Sequence, residues 1–210
     1  MSGTVTPSLV PDVTGSHLTW ADRPPRGKKP AKKALTTLAV GEAAPKPRTA
    51  QCPDWPARFV GDGKQSYCCD DAKQLASFAC PAGKCALQRH PFPCPELMVL
   101  DTDALYFFRG TRLFAMDRFS GKAAQIVKRV RAPRELVQDD GYLYWLEGND
   151  EAAIFRMKKP ERTTKATPEV EPIAGKLKGA RALSVDDQAI YWTVAGRGAN
   201  TELLALQKPR

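Results

Sequence analysis

The chain has 210 residues, of which 42% are hydrophobic and 18 are proline, and it carries a formal net charge of +9. That length holds one ordinary domain, or a small domain with tails, and no run reaches the roughly 18 to 20 apolar residues that a membrane-spanning helix needs. The charge does not describe a basic groove for nucleic acid, because residues 1–50 hold eight Lys and Arg against three acids and the rest of the chain is far more balanced.

Residues 1–50 are rich in Pro, Thr, Ser, Ala and Lys and show no sustained period of 2 or 3.6. Such a segment buries too little apolar surface to offset the entropy of ordering it, which predicts a disordered basic tail or linker. Within it, RGKKPAKK followed by ALTTLAV has the order of a signal peptide, basic and then apolar. The apolar run is at the lower limit for an export signal and starts far from Met1, so a basic linker and a start codon placed too far upstream compete with that reading.

Residues 51–95 contain all six cysteines, Cys52, Cys68, Cys69, Cys80, Cys85 and Cys94. An even count packed this closely predicts a disulfide-bonded module in an oxidising compartment, with cross-links supplying what a small core cannot. Gly61, Gly63, Pro81, Gly83, Pro91, Pro93 and Pro95 break the segment into turns and leave only Asp71 to Phe78 as a helix of two turns. Two alternatives stand beside the disulfides. One is free thiols; the other is zinc held by Cys80, Cys85, His90 and Cys94, whose C-x4-C-x4-H-x3-C spacing is similar to a zinc knuckle. Next to a basic tail, a knuckle would imply an intracellular protein that binds single-stranded nucleic acid.

From Glu96 onward the chain repeats itself. MVLDTDALYF (Met98 to Phe107), LVQDDGYLYW (Leu136 to Trp145) and LSVDDQAIYW (Leu183 to Trp192) align on Leu105, Leu143 and Ile190. Each has a Leu or Met seven residues before that anchor, an Asp four before it, and Tyr plus a second aromatic after it. A second matched segment follows in each unit, LFAM from Leu113, IFRM from Ile154 and LLAL from Leu203, with loops of changing length between. Further strands are predicted over Ala123 to Val127 and Val170 to Ala174. The anchors are 38 and 47 residues apart. Periods near 40 to 50 with several short aromatic and β-branched strands predict β-propeller blades, not helical repeats.

LYWL at Leu143 to Leu146 and IYWT at Ile190 to Thr193, each with an Asp five residues before the Tyr, resemble the Tyr-Trp-Thr-Asp class of propeller repeat and related bacterial repeats of secreted propellers. The resemblance covers residues 96–210. It implies a propeller; in place of the family's fourth motif residue, Asp, stand Arg109, Glu147 and Val194. Only two full units and one half unit are legible, whereas a closed ring needs at least about four blades. The expected fold is therefore mostly β, with two to three blades in an incomplete ring, preceded by the cysteine module and the tail. A longer parent propeller, a second copy or another chain would complete it, since open sheet edges are normally covered.

The chemistry on offer is sparse. Asp139-Asp140 and Asp186-Asp187 recur at one repeat position, so they are expected to bind their own turns, ahead of a structural calcium ion or acid/base work. Tyr106, Tyr144, Tyr191, Trp145 and Trp192 are expected as core between blades. Arg134 and Arg181 share a repeat position filled by Glu96 in the first unit, which suggests a Glu96–Arg134 ion pair. His17 and His90 are the only histidines, and Gly196-Arg197-Gly198 reads as a hairpin loop, not a phosphate loop. The resulting expectation is a non-catalytic, cofactor-free binding protein of the periplasm, cell envelope or extracellular space, recognising a protein or glycan. Its loops at 108–112, 146–153 and 194–201 would carry the contacts, with Arg109, Arg112, Glu147, Asn149, Arg197 and Asn200 as candidate binding residues.

Overall fold

The structure, a computed structural model, describes the strand backbone of residues 8–11, 17–21, 34–39 and 48–51, together with residues 60–62, 65–70, 72–79, 86–161, 168–195 and 201–208. The chain divides into two compact units, residues 1–95 with 100–103, and residues 96–99 with 104–210.

In the first unit, β1 (Ser8–Pro11), β2 (His17–Ala21), β3 (Ala34–Ala39) and β4 (Arg48–Gln51) form one antiparallel sheet in chain order. A second meander joins β5 (Val60–Gly61), β6 (Gln65–Cys69), β7 (Gln74–Ala79) and β8 (Ala86–Pro93). Three more sheets follow. The strands β9 (Leu97–Leu100), β10 (Ala104–Arg109), β11 (Arg112–Asp117) and β12 (Ala123–Val127) make the first. The second holds β13 (Pro133–Gln138), β14 (Tyr142–Glu147), β15 (Glu151–Lys158) and β16 (Val170–Lys178). The third has three strands, β17 (Ala180–Val185), β18 (Ala189–Ala195) and β19 (Thr201–Gln207).

The mostly β, blade-like reading of the sequence stands, and every strand segment read from the repeats lies within a strand. The count is larger than expected: the described strands form five sheets where two to three blades were legible. Of residues 1–50, expected as a disordered tail, the described stretches lie in four paired strands, β1 to β4, and most of the apolar run of the would-be signal segment is β3, paired with β2 and β4. The helix expected over residues 71–78 is also replaced. Gln74–Ala79 is β7, paired to β6 and β8 with Leu75, Ala76, Ser77 and Phe78 buried. Eight residues hold too few internal hydrogen bonds to outcompete two flanking strands.

The core of the second unit lies between consecutive sheets. Strand parity decides which neighbour each side chain meets. Leu143 and Trp145 pack with Tyr106, Phe108 and Leu113 of the preceding sheet, while Tyr144 and Leu146 pack with Leu183, Ile190 and Trp192 of the following one. Trp145 stacks on Phe155 at 6.0 Å between ring centroids and meets the edge of Phe108 at 6.3 Å. Full burial of a ring that size contributes about 4 to 6 kcal/mol of transfer free energy as an upper bound. The aromatic pairs expected as core are so placed, except that Tyr191 stays partly exposed.

Candidate functional site

The sheets of the second unit have two edges of different chemistry. On one edge, carboxylates close the turn into the anchor strand. Asp139 Oδ1 accepts from the backbone N–H of Gly141 at 2.9 Å and of Tyr142 at 2.7 Å, while Tyr144 Oη donates to Oδ2 at 2.8 Å. Asp186 repeats the arrangement with Gln188 N, Ala189 N and Tyr191 Oη at 2.8, 2.8 and 2.9 Å. Asp139 also holds Lys208 Nζ at 2.6 Å. Burial works to raise the Asp139 carboxyl, but the Lys208 ammonium, the Tyr144 hydroxyl and the two backbone N–H groups outweigh it and leave it below the usual carboxylate range. Burial, then the hydrogen bond and charge of Asp139, push the Tyr144 phenol up. A smaller cleft of about 260 Å³ here is lined by Asp139, Asp140, Tyr142, Tyr144, Arg156, Asp187 and Lys208, and its central carboxylate is committed to four donors. That is the chemistry of a turn lock, which is what the repeat position of these aspartates predicts.

The opposite edge carries two of the loops read from the sequence as contact segments, 108–112 and 146–153; of the third, 196–200 lie outside the described residues. The connection from β12 to β13 and the hairpin turns zip together through the backbone: Val130 N donates to Thr111 O at 2.8 Å, and Gly148 N to Arg131 O at 2.9 Å. Gly179 N donates to Asp150 O at 3.3 Å, and Ala195 N to Gly179 O at 3.2 Å. Gly148 (φ +100°) and Gly179 (φ +72°) occupy the left-handed region, and a Cβ at Gly148 would meet the Glu151 carbonyl oxygen at 2.7 Å.

These segments wall a cleft of about 570 Å³, lined by Arg134, Glu135, Asn149, Asp150, Lys178, Gly179, Ala180 and Arg181. Asn149 is thus the candidate residue that the cleft gathers in. Glu147 lies two positions before it, half-buried and paired in register with Pro133. Arg109 and Arg112 face each other across the exposed Gly110-Thr111 turn, away from the lining. Arg197 and Asn200 lie outside the described residues. Sequence reasoning missed Lys178 and Asp150, and gave Arg134 a different role. The anticipated Glu96–Arg134 ion pair is not made through Arg134 Nε or Nη2, which are shielded from solvent and find no hydrogen-bond partner.

In the first unit, Cys69 and Cys94 are joined by a disulfide with 5.3 Å between their Cα atoms, and Cys68 is disulfide-bonded as well. Cys52, Cys80 and Cys85 lie outside the described residues. A sulfur tied to Cys69 is no thiolate, so Cys94 drops out of the zinc quartet considered above. His90 is buried, and its Nε2 lies 2.8 Å from Ser77 Oγ. Burial lowers the His90 imidazole below its usual range. Asp70 accepts from Ala72 N, Gln74 N and Arg89 Nε, so it too closes a hairpin.

No family model matches the sequence, and no curated protein matches it. Solved structures do. A puromycin-hydrolyzing peptidase of Mycobacterium tuberculosis is 15% identical with a TM-score of 0.60 over 94% of this chain and 38% of that one. A Bacteroides uniformis protein assigned as a 6-phosphogluconolactonase is 13% identical, with a TM-score of 0.56 over 95% of this chain and 67% of that one. BamB from Moraxella catarrhalis is 12% identical, with a TM-score of 0.53 over 99% of this chain and 60% of that one. The chain therefore spans between 38% and 67% of the length of these structures. At such identities the likeness is one of fold, and propeller scaffolds host unrelated activities, so any activity has to be argued from the site. What this chain shares with them is a propeller-like architecture of consecutive antiparallel sheets.

Proposed function

We propose that the protein is a non-catalytic binding scaffold, working without a cofactor in the periplasm, cell envelope or extracellular space, and that the loop edge of its second unit recognises a protein partner. The observation that carries this reading is the cleft among Arg134, Asn149, Asp150, Lys178 and Arg181, built from a hairpin turn and a connection that differ in length and composition between sheets. Loops held on a rigid sheet scaffold are where recognition is usually placed. Asp139 and Asp186, the first members of the two acidic pairs that could have served as acid or base, are bound into turns. A protein suits the cleft better than a glycan, because none of its lining residues is an aromatic on which a sugar ring could stack. The Cys69–Cys94 disulfide supports an oxidising compartment. A longer parent propeller, a second copy or another chain remains the reading for whatever pairs with the exposed strand β19.

The test replaces loops 108–112, 146–153 and 194–201 by Gly/Ser segments of equal length and follows partner recovery after cross-linking in the native cell. Loss of the cross-linked partner with an unchanged circular dichroism spectrum is expected. Retained cross-linking would overturn the assignment of the surface.

A further inference from the structure

The loop-edge cleft holds a guanidinium of which two nitrogens find no acceptor. Arg134 lines it, half-buried, with Nε and Nη2 shielded from water and without an acceptor. Removing a guanidinium from water without pairing it is costly, and such groups in folded proteins call for an explanation. Exposed Lys178 and Arg181 line the same cleft, so its lining carries three cations and the two carboxylates of Glu135 and Asp150.

The backbone places these arginines in a particular way. Pairing between β13 and β14 slips between Pro133 and Glu135, so Arg134 sits at an irregularity of its strand. Pairing between β17 and β18 slips between Ala180 and Leu183, and Arg181 lies within that irregularity. Bulges re-aim side chains and concentrate next to functional sites. Ala132, two residues before Arg134, has φ +48°, a left-handed conformation that a non-glycine residue adopts at a cost. Two equivalent strands thus break their ladders at equivalent arginines, both on one cleft.

From this geometry we infer that the cleft is a carboxylate-binding site, which takes a Glu or Asp side chain from an acidic peptide segment of the partner. The inference rests on the binding role proposed above and names the chemistry that role would use. A planar guanidinium matches a carboxylate in two parallel hydrogen bonds. Three cations against two carboxylates leave one positive charge, which a singly charged carboxylate neutralises and a doubly charged phosphate would overcompensate.

The experiment is a nuclear magnetic resonance titration of the full chain with a capped pentapeptide carrying one central Glu, with its Gln counterpart, with inorganic phosphate and with glucuronic acid. The Glu peptide is expected to shift the Gly179 and Asp150 amide signals, and the Gln peptide is not. Arg134→Gln is expected to weaken the Glu peptide at least tenfold and Arg134→Lys less, while Lys158→Gln, exposed at the opposite, aspartate-bearing edge of the sheets, leaves it unchanged. Arg181→Gln, at an exposed position, serves as the reporter if the Arg134 variants lose their dispersed spectra, with the same direction expected. Equal binding by wild type and Arg134→Gln, equal binding of the Glu and Gln peptides, or tighter binding of phosphate or glucuronate than of the Glu peptide would each overturn the inference. A silent titration alongside loss of the partner in the loop exchange overturns this inference alone; a silent titration with the partner retained overturns the binding surface as well.

Discussion

Asp139 and Asp186 hold the same place in successive sheets and make the same three bonds to their turns, but Asp139 also carries Lys208 in a pair whose side chains are 16% and 13% exposed. Asp139→Ala leaves a tyrosine hydroxyl, two backbone N–H groups and an ammonium without their acceptor. It is expected to cost about 2 to 3 kcal/mol in urea denaturation, and Asp186→Ala, on a solvated turn, less; equal losses would show that the lysine contributes nothing. Because the folded Asp139 carboxyl lies below its unfolded value, its contribution is present above the usual carboxylate pKa of about 3.9 and is lost as pH falls through the lowered one. His90 has the same sign at higher pH. Its folded pKa is depressed by burial, so the neutral ring stabilises the fold above about 6.5 and that stability drains away as the pH falls toward the folded value. Calorimetry between pH 7.5 and 5 should therefore record a falling Tm that His90→Gln flattens, and parallel slopes for the two proteins would refute the assignment.

The element scale shows how much of the fold the sequence held and why part of it was missed. Two of the repeat units pair as their alignment requires, Leu136 with Trp145 and Leu183 with Trp192. The same register recurs where no repeat was read. Leu9 pairs with Trp20 across β1 and β2, although five residues separate those strands where three separate β17 from β18. Asp62 caps Gln65 N at 2.7 Å and precedes Tyr67 by the same five positions that separate Asp139 from Tyr144, so VGDGKQSYCC is another copy of the motif. Its anchor reads Ser-Tyr-Cys where the others read apolar-Tyr-aromatic, and the cysteines drew attention away from the Asp-to-Tyr spacing that would have found it. Turn chemistry is equally local. Gly148→Ala would place a Cβ 2.7 Å from the Glu151 carbonyl at φ +100°, and is expected to cost about 2 to 3 kcal/mol by thermal denaturation. Wild-type stability in that variant would mean that the turn can rearrange.

At the scale of the whole molecule, every cysteine lies in the first unit and none in the second. Reduction should lower the stability of the first unit, with Cys69→Ser or Cys94→Ser costing about 2 to 4 kcal/mol, while hydrogen exchange in β13 to β15 stays protected. Loss of protection in those strands on reduction would contradict the division. Strand type, the turn-closing role of the aspartates, the interior place of most of the aromatics and the clustering of the cysteines were determined by the sequence alone. Each depends on residue type and on spacings of a few positions, which propensity, turn chemistry and hydrophobic parity fix locally. The formation of β1 to β4 in a segment that reads as a tail, the conversion of a short helical pattern into β7, the Cys69–Cys94 pairing and the convergence of Arg134, Lys178 and Arg181 on one cleft were decided only by the tertiary structure. Those outcomes depend on which strands become neighbours and where a ladder slips, and both are settled by pairing between segments distant in the chain, so no local pattern carries them.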